Sequence, residues 1–128
     1  MSPIDPKQLR QNETNRRRGW ILNFLYSNRP KPLEFASLIF LLDKKNFPIS
    51  GRRLSADLDF LRSCKLIRVF PVGSNDIHDD VAQAKLLQRY CDSEGEMDDD
   101  CCASLTSYGV NFQEGEASSH LDGITRVY

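Results

Sequence analysis

Two adjacent arginines, Arg52 and Arg53, stand just after Ser50, a residue type that caps helices. In the first turn of a helix their guanidinium groups project from its N-terminal end. A guanidinium there can bond guanine bidentately through O6 and N7. Ser55, Arg62 and Ser63, further along the same stretch, would add phosphate or peripheral contacts. The cluster Arg16, Arg17 and Arg18 and the pair Lys44 and Lys45 are candidates to neutralise backbone phosphates and so raise salt dependence. The chemistry these residues imply is recognition of double-stranded DNA. For Arg16–Arg18 a solvated charge run is the other reading. Asp59 lies among the candidate contacts and would repel phosphate or restrict which bases are tolerated.

The residue types that carry catalysis are not assembled in the same way. His78 and His120 fall in expected loops with no nucleophile pattern beside them, and the chain has neither a phosphate-cradling glycine loop nor a GxSxG turn. Asp57 and Asp59, two apart on a helix, project to different faces and cannot act as a carboxylate pair. Asp57 is expected to answer a nearby arginine or a helix amide. Four cysteines, Cys64, Cys91, Cys101 and Cys102, are expected as free thiols in a cytoplasmic chain. His78 and Cys91 share a segment, so zinc is conceivable, but their spacing matches none of the usual zinc patterns. No catalytic residue, metal ligand or cofactor is therefore expected, and the protein is not expected to be an enzyme.

The elements that position the arginines follow from periodicity. Ser50 caps a helix in which Leu54, Leu58 and Leu61 recur at i, i+4 and i+7, a stripe that faces a core. Ile49 and Leu54 are placed to close as a hydrophobic staple. After Ser63 the run Lys65–Phe70 changes to strand-like composition. Upstream, the first 14 residues read as a lead-in, and a helix from about Glu13 to Ser27 carries Trp20, Ile21, Phe24 and Leu25 on one side. Basic residues at its start would oppose the helix dipole, so they are not there for helix stability. Pro30 and Pro32 break this helix. A second helix over about 33–45 is apolar nearly all round, which places it centrally or in a homodimer contact through Phe40 or Leu41.

Downstream the balance of charge reverses. Residues 1–70 hold 14 Lys and Arg against 6 Asp and Glu, whereas residues 71–128 hold 3 against 12. Such a split points to an electrostatic role for the basic half, with nucleic acid the commonest partner, or to mutual attraction of the two halves. The stretch 79–91 fits a helix, and a hairpin arm is the alternative. Asp92–Asp100 reads as an exposed acidic loop, Cys101–Leu105 as a strand pairing antiparallel with 66–70, and Thr106 as the cap of a short helix that Gly115 stops. Ile124, Val127 and Tyr128 are expected to dock the tail on the body. No apolar run approaches the roughly 20 residues of a membrane span, and the N-terminus lacks the apolar core of a secretory signal, so cytoplasmic residence is expected.

The string ISGRRLSADLDFLRSCKLIRV resembles the recognition helix and first wing strand of winged helix-turn-helix proteins. There a helix of the type xLxxDLxxLxxxGLI precedes a hairpin wing. Leu54, Asp57, Leu58, Leu61, Leu66 and Ile67 match, with Cys64 and Lys65 in place of the usual small turn residues. Leu105–Val110 and Asp122-Gly123-Ile124 are similar to the LTxxGxxxxE helix and PGI tail of small winged-helix proteins from Mu-like prophages. The general resemblance covers about Arg16 to Glu114 and departs from the pattern in the acidic insertion. It implies a single α+β domain, mainly helical with a small β-hairpin. Its parts would be a lead-in at 1–14, a helical core, recognition helix and first wing strand at 15–70, an enlarged acidic wing insertion at 71–100, and a second wing strand, short helix and tail at 101–128. It also implies a prophage-type transcription regulator that binds DNA. A winged-helix interaction or assembly module without DNA binding is the alternative, since fold does not fix function.

Overall fold

The computed structural model describes residues 5–73, 79–92, 101–115 and 122–127. The first helix, α1 (Pro6–Ser27), begins earlier than expected. Asp5 accepts from the Lys7 amide and Pro6 occupies the first helical position, where its missing N–H costs nothing. Arg16–Arg18 consequently sit in mid-helix rather than at its start, and the dipole argument does not apply to them.

The expected second helix is divided. Leu33 and Glu34 form a short strand, β1, and only Phe35–Lys44 is helical, as α2. It ends at Asn46, in the left-handed conformation at φ 66°, which asparagine tolerates. The Phe47 amide bonds the Leu42 carbonyl at 2.9 Å and the Asn46 amide that of Asp43 at 3.1 Å, together closing a Schellman motif. Helix α3 (Gly51–Ser63) follows, with the Ser50 hydroxyl accepting from the Arg53 amide at 3.2 Å. It ends in the same way. Leu66 N–H reaches Leu61 at 3.1 Å, Lys65 N–H reaches Arg62 at 2.9 Å, and Lys65 takes the left-handed position at φ 66°.

Strand β2 (Ile67–Pro71) leads to α4 (Asp80–Asp92), so 79–91 is helical and the hairpin alternative is set aside. Strand β3 (Cys101–Leu105) then pairs antiparallel with β2, Ile67 opposite Leu105 and Pro71 opposite Cys101, and with β1 on its other side. The molecule is thus mainly helical with a three-stranded antiparallel sheet of order β1-β3-β2. Thr106 caps α5 (Ser107–Gln113) by accepting from the Gly109 amide at 3.0 Å, while its hydroxyl donates to the Lys65 carbonyl at 2.6 Å.

One core joins these elements. Ile21, Leu22 and Leu25 of α1, Phe35, Leu38 and Leu42 of α2, and the Leu54, Leu58, Leu61 stripe of α3 are fully or almost fully buried, with Phe112 of α5 and the sheet residues Val69 and Ala103 beside them. Removing one such leucine side chain typically costs about 2–5 kcal/mol. The tail docks as expected through Ile124, and Thr125 N–H bonds the Asn15 carbonyl at 3.0 Å. Among the described residues no helix is long and apolar enough to cross a membrane. His78, Cys91, His120, Tyr128 and the acidic run 93–100 lie outside the described side chains.

Candidate nucleic-acid interface

Six of the nine candidate contact residues keep an exposed cationic side chain or a partly free one, and three are spent on structure. Arg17 is buried and forms a two-pronged ion pair with buried Asp57, its Nη2 at 3.0 Å from Oδ1 and its Nε on Oδ2. Arg18 adds a third bond to Asp57 at 3.2 Å, bonds the Gly123 carbonyl, and lays its guanidinium 3.8 Å from the Phe60 ring centroid. Both guanidinium groups are committed inside the molecule, although Arg17 borders the clefts at this end of α3. Their placement follows from Asp57: a carboxylate with 1% of its surface exposed needs cations and donors around it. Ser55 is also buried, and its hydroxyl donates to the Leu87 carbonyl at 2.6 Å. Ser63 bonds the Phe60 carbonyl behind it in the helix.

Arg62 is half-committed. It donates to Asp59 at 3.0 and 2.9 Å and to Asp80 at 2.5 Å. Burial works against its charge, but the bonds to Asp80 and Asp59 outweigh this and raise its pKa, while Arg62 holds the Asp80 carboxyl below its usual value. Asp59 is therefore neutralised within the molecule, which removes the repulsion expected from a bare carboxylate. The two contacts Ser55–Leu87 and Arg62–Asp80 run in opposite chain order, so α4 lies antiparallel along one flank of α3. Gln83 of α4 is buried and accepts from the Val69 amide at 3.1 Å, satisfying an edge donor of β2.

With that flank covered, the open part of α3 is Arg52, Arg53, Ala56 and Ser63, and only the first two are charged. Both make no side-chain hydrogen bond or ion pair among the described residues. Arg53 lines a cleft of about 410 Å³ with Arg10, Glu13 and the α2–α3 turn. A neighbouring cleft of about 520 Å³ shares Glu13, Arg17, Pro48 and Ile49 with it and adds Arg16 and Lys45. Arg16 sits 5.8 Å from the Phe47 ring centroid and Lys45 4.5 Å from that of Trp20, contacts that steady a cation without neutralising it. Lys44 lies against Phe40 on the exposed side of α2. The geometry therefore gathers Arg10, Arg16, Lys45 and Arg53 around one turn, against Glu13 as the one acid among the described residues that line it.

Arg10 was not legible as a contact because its segment reads as a loose lead-in. The signal that places it is Asp5 followed by Pro6, a helix start. Elsewhere, among the described residues, no group of three or more histidines, cysteines or acids is arranged to hold a metal. Cys64 and Cys102 are free thiols; burial, with Cys101 and Glu34 nearby, pushes Cys102 up to about 11. No protein-family model matches the chain, and neither the curated proteins nor the solved structures contain a match.

Proposed function

We propose that the protein binds double-stranded DNA through the N-terminal end of α3 and the facing part of α1, as a regulator of the winged-helix, prophage type. The observation that carries this reading is the convergence of Arg10, Arg16, Lys45 and Arg53 on two adjoining clefts beside an uncommitted Arg52. The element order helix–strand–helix–helix–strand, with α4 inserted before strand β3 pairs back on both others, supports the winged-helix part of the reading. In that geometry the N-terminal residues of the second helix of the pair meet base edges. Because α4 covers one flank of α3, base contact is confined to Arg52 and Arg53, and Arg10, Arg16 and Lys45 act on phosphates.

A fluorescence-anisotropy titration of a mixed-sequence duplex at low salt tests this. Arg52→Ala with Arg53→Ala is expected to weaken binding at least tenfold, since it removes two of the cations that face the duplex, and sequence-independent binding is carried by such charges. Unchanged binding in that variant, or none by the parent protein, overturns the reading. The assembly-module alternative draws on a different observation: Phe40 of α2 is 58% exposed, and a homodimer through α2 would cover it. Light scattering that finds a monomer at high concentration removes the homodimer form of that alternative.

A further inference from the structure

A second basic concavity lies away from the α3 end. We propose that it binds a small-molecule phosphomonoester. The cleft, of about 500 Å³, is formed where the turn between α1 and β1 overhangs the β2–β3 ladder, and Arg29, Lys31, Arg68 and Ser104 line it with Leu25 and Leu105. Arg68 and Ser104 are register partners in the antiparallel pair, so the guanidinium-bearing residue and the hydroxyl-bearing residue face each other across adjacent strands.

The Arg29 side chain and the turn that carries Lys31 are held in place. Arg29 donates through Nε to the Tyr26 carbonyl at 3.1 Å and stacks 3.9 Å from the Tyr26 ring centroid, which leaves its terminal nitrogens for a ligand. The turn that carries Lys31 is closed by the Lys31 amide on the Asn28 carbonyl at 3.0 Å and by the Asn28 side chain on the Lys31 carbonyl at 3.1 Å. Arg68 is half-buried and makes no side-chain hydrogen bond or ion pair among the described residues. Among the described residues no acid lines the cleft; Glu114, which reaches this end of α1, accepts from the Tyr26 hydroxyl.

Three positive charges with no counter-ion among the described residues match a dianion. A phosphomonoester carries about −1.5 to −2 at neutral pH, whereas each diester of a nucleic-acid backbone carries only one charge. The concave shape, the volume within the range of about 300–1,000 Å³ usual for small-ligand sites, and the leucines on its wall favour a compact organic phosphate over a duplex. This inference does not rest on DNA binding at the α3 end.

Amide chemical shifts followed during titration with inorganic phosphate, adenosine monophosphate and a blunt duplex with 5′-hydroxyl ends test the proposal. Both phosphates are expected to shift Lys31, Arg68 and Ser104 saturably, the nucleotide at lower concentration because of the apolar wall. Lys31→Ala, on an exposed turn, and separately Arg68→Gln are each expected to weaken this at least fivefold, and Arg52→Ala with Arg53→Ala to leave it unchanged. Shifts reproduced by chloride at equal ionic strength, no saturation, or indifference to both Lys31→Ala and Arg68→Gln would overturn it. So would displacement of the nucleotide from these residues by the duplex, which would make the cleft a backbone contact.

Discussion

Asp57 illustrates how a charge is made tolerable inside a small core. It sits on the buried side of α3 beside Leu54, Leu58 and Leu61, and Arg17 and Arg18 reach it from α1 across the helix interface. Removing one partner of such a pair leaves an uncompensated buried charge, at a cost of about 3–5 kcal/mol. Asp57→Ala is therefore expected to lower unfolding stability by roughly that amount in denaturant titration, while Asp57→Leu combined with Arg17→Met loses much less. Equal losses in the two would show that the pair itself, and not the stranded arginine, sets the cost. Lys65 predicts a gain. It holds the left-handed helix-end position at φ 66°, where a side chain costs about 1–2 kcal/mol relative to glycine. Lys65→Gly is expected to raise the denaturation midpoint with an unchanged slope; a fall would mean that its charge beside Asp80 matters more than its backbone.

At the scale of elements, the tail and α4 are the two attachments that need explanation. The tail crosses α1 at Gly19, where an added Cβ would lie 1.8 Å from the Thr125 carbonyl oxygen. The Asn23 and Gln113 side chains both donate to the Val127 carbonyl, tying tail, α1 and α5 together. Gly19→Ala is expected to destabilise the full chain by about 1–3 kcal/mol through overpacking. In a chain cut before residue 122 the same change should stabilise by up to about 1 kcal/mol, because alanine is the better helix former. The same sign in both chains would sever Gly19 from the tail. Helix α4 is fastened at one end by Arg62 on Asp80. Asp80 is held below its usual value, so its contribution is present above pH 4 and is lost as pH falls through the lower folded value. Between pH 5 and 2.5 the parent protein should lose more stability than Asp80→Asn, measured by parallel denaturant titrations; parallel curves would dismiss the bond as energetically silent.

Over the whole molecule, local patterns were legible and long-range partners were not. The Ser50 and Thr106 caps follow from residue type because each is satisfied within a few residues, and the leucine stripe and the 101–105 strand follow from periodicity and composition. The fates of Arg17, Arg18 and Ser55 depend on residues 32 to 40 positions away, so a basic cluster in the chain became an internal ion pair in the fold. β1 was missed because its two residues are strands only by virtue of pairing with Ala103 and Cys102. Folding thus subtracts Arg17 and Arg18 from the charge available to DNA and adds Arg10. The proposed surface makes about five phosphate or base contacts, through Arg10, Arg16, Lys45, Arg52 and Arg53. The direct test is the slope of log binding constant against log salt for a duplex, which falls by about 0.9 for each phosphate neutralised. The account predicts a slope near −3 for the parent protein, from the phosphate contacts of Arg10, Arg16 and Lys45, made shallower by about 1 in Lys45→Ala and again in Arg16→Ala. A slope near zero, or one that neither substitution changes, would contradict it.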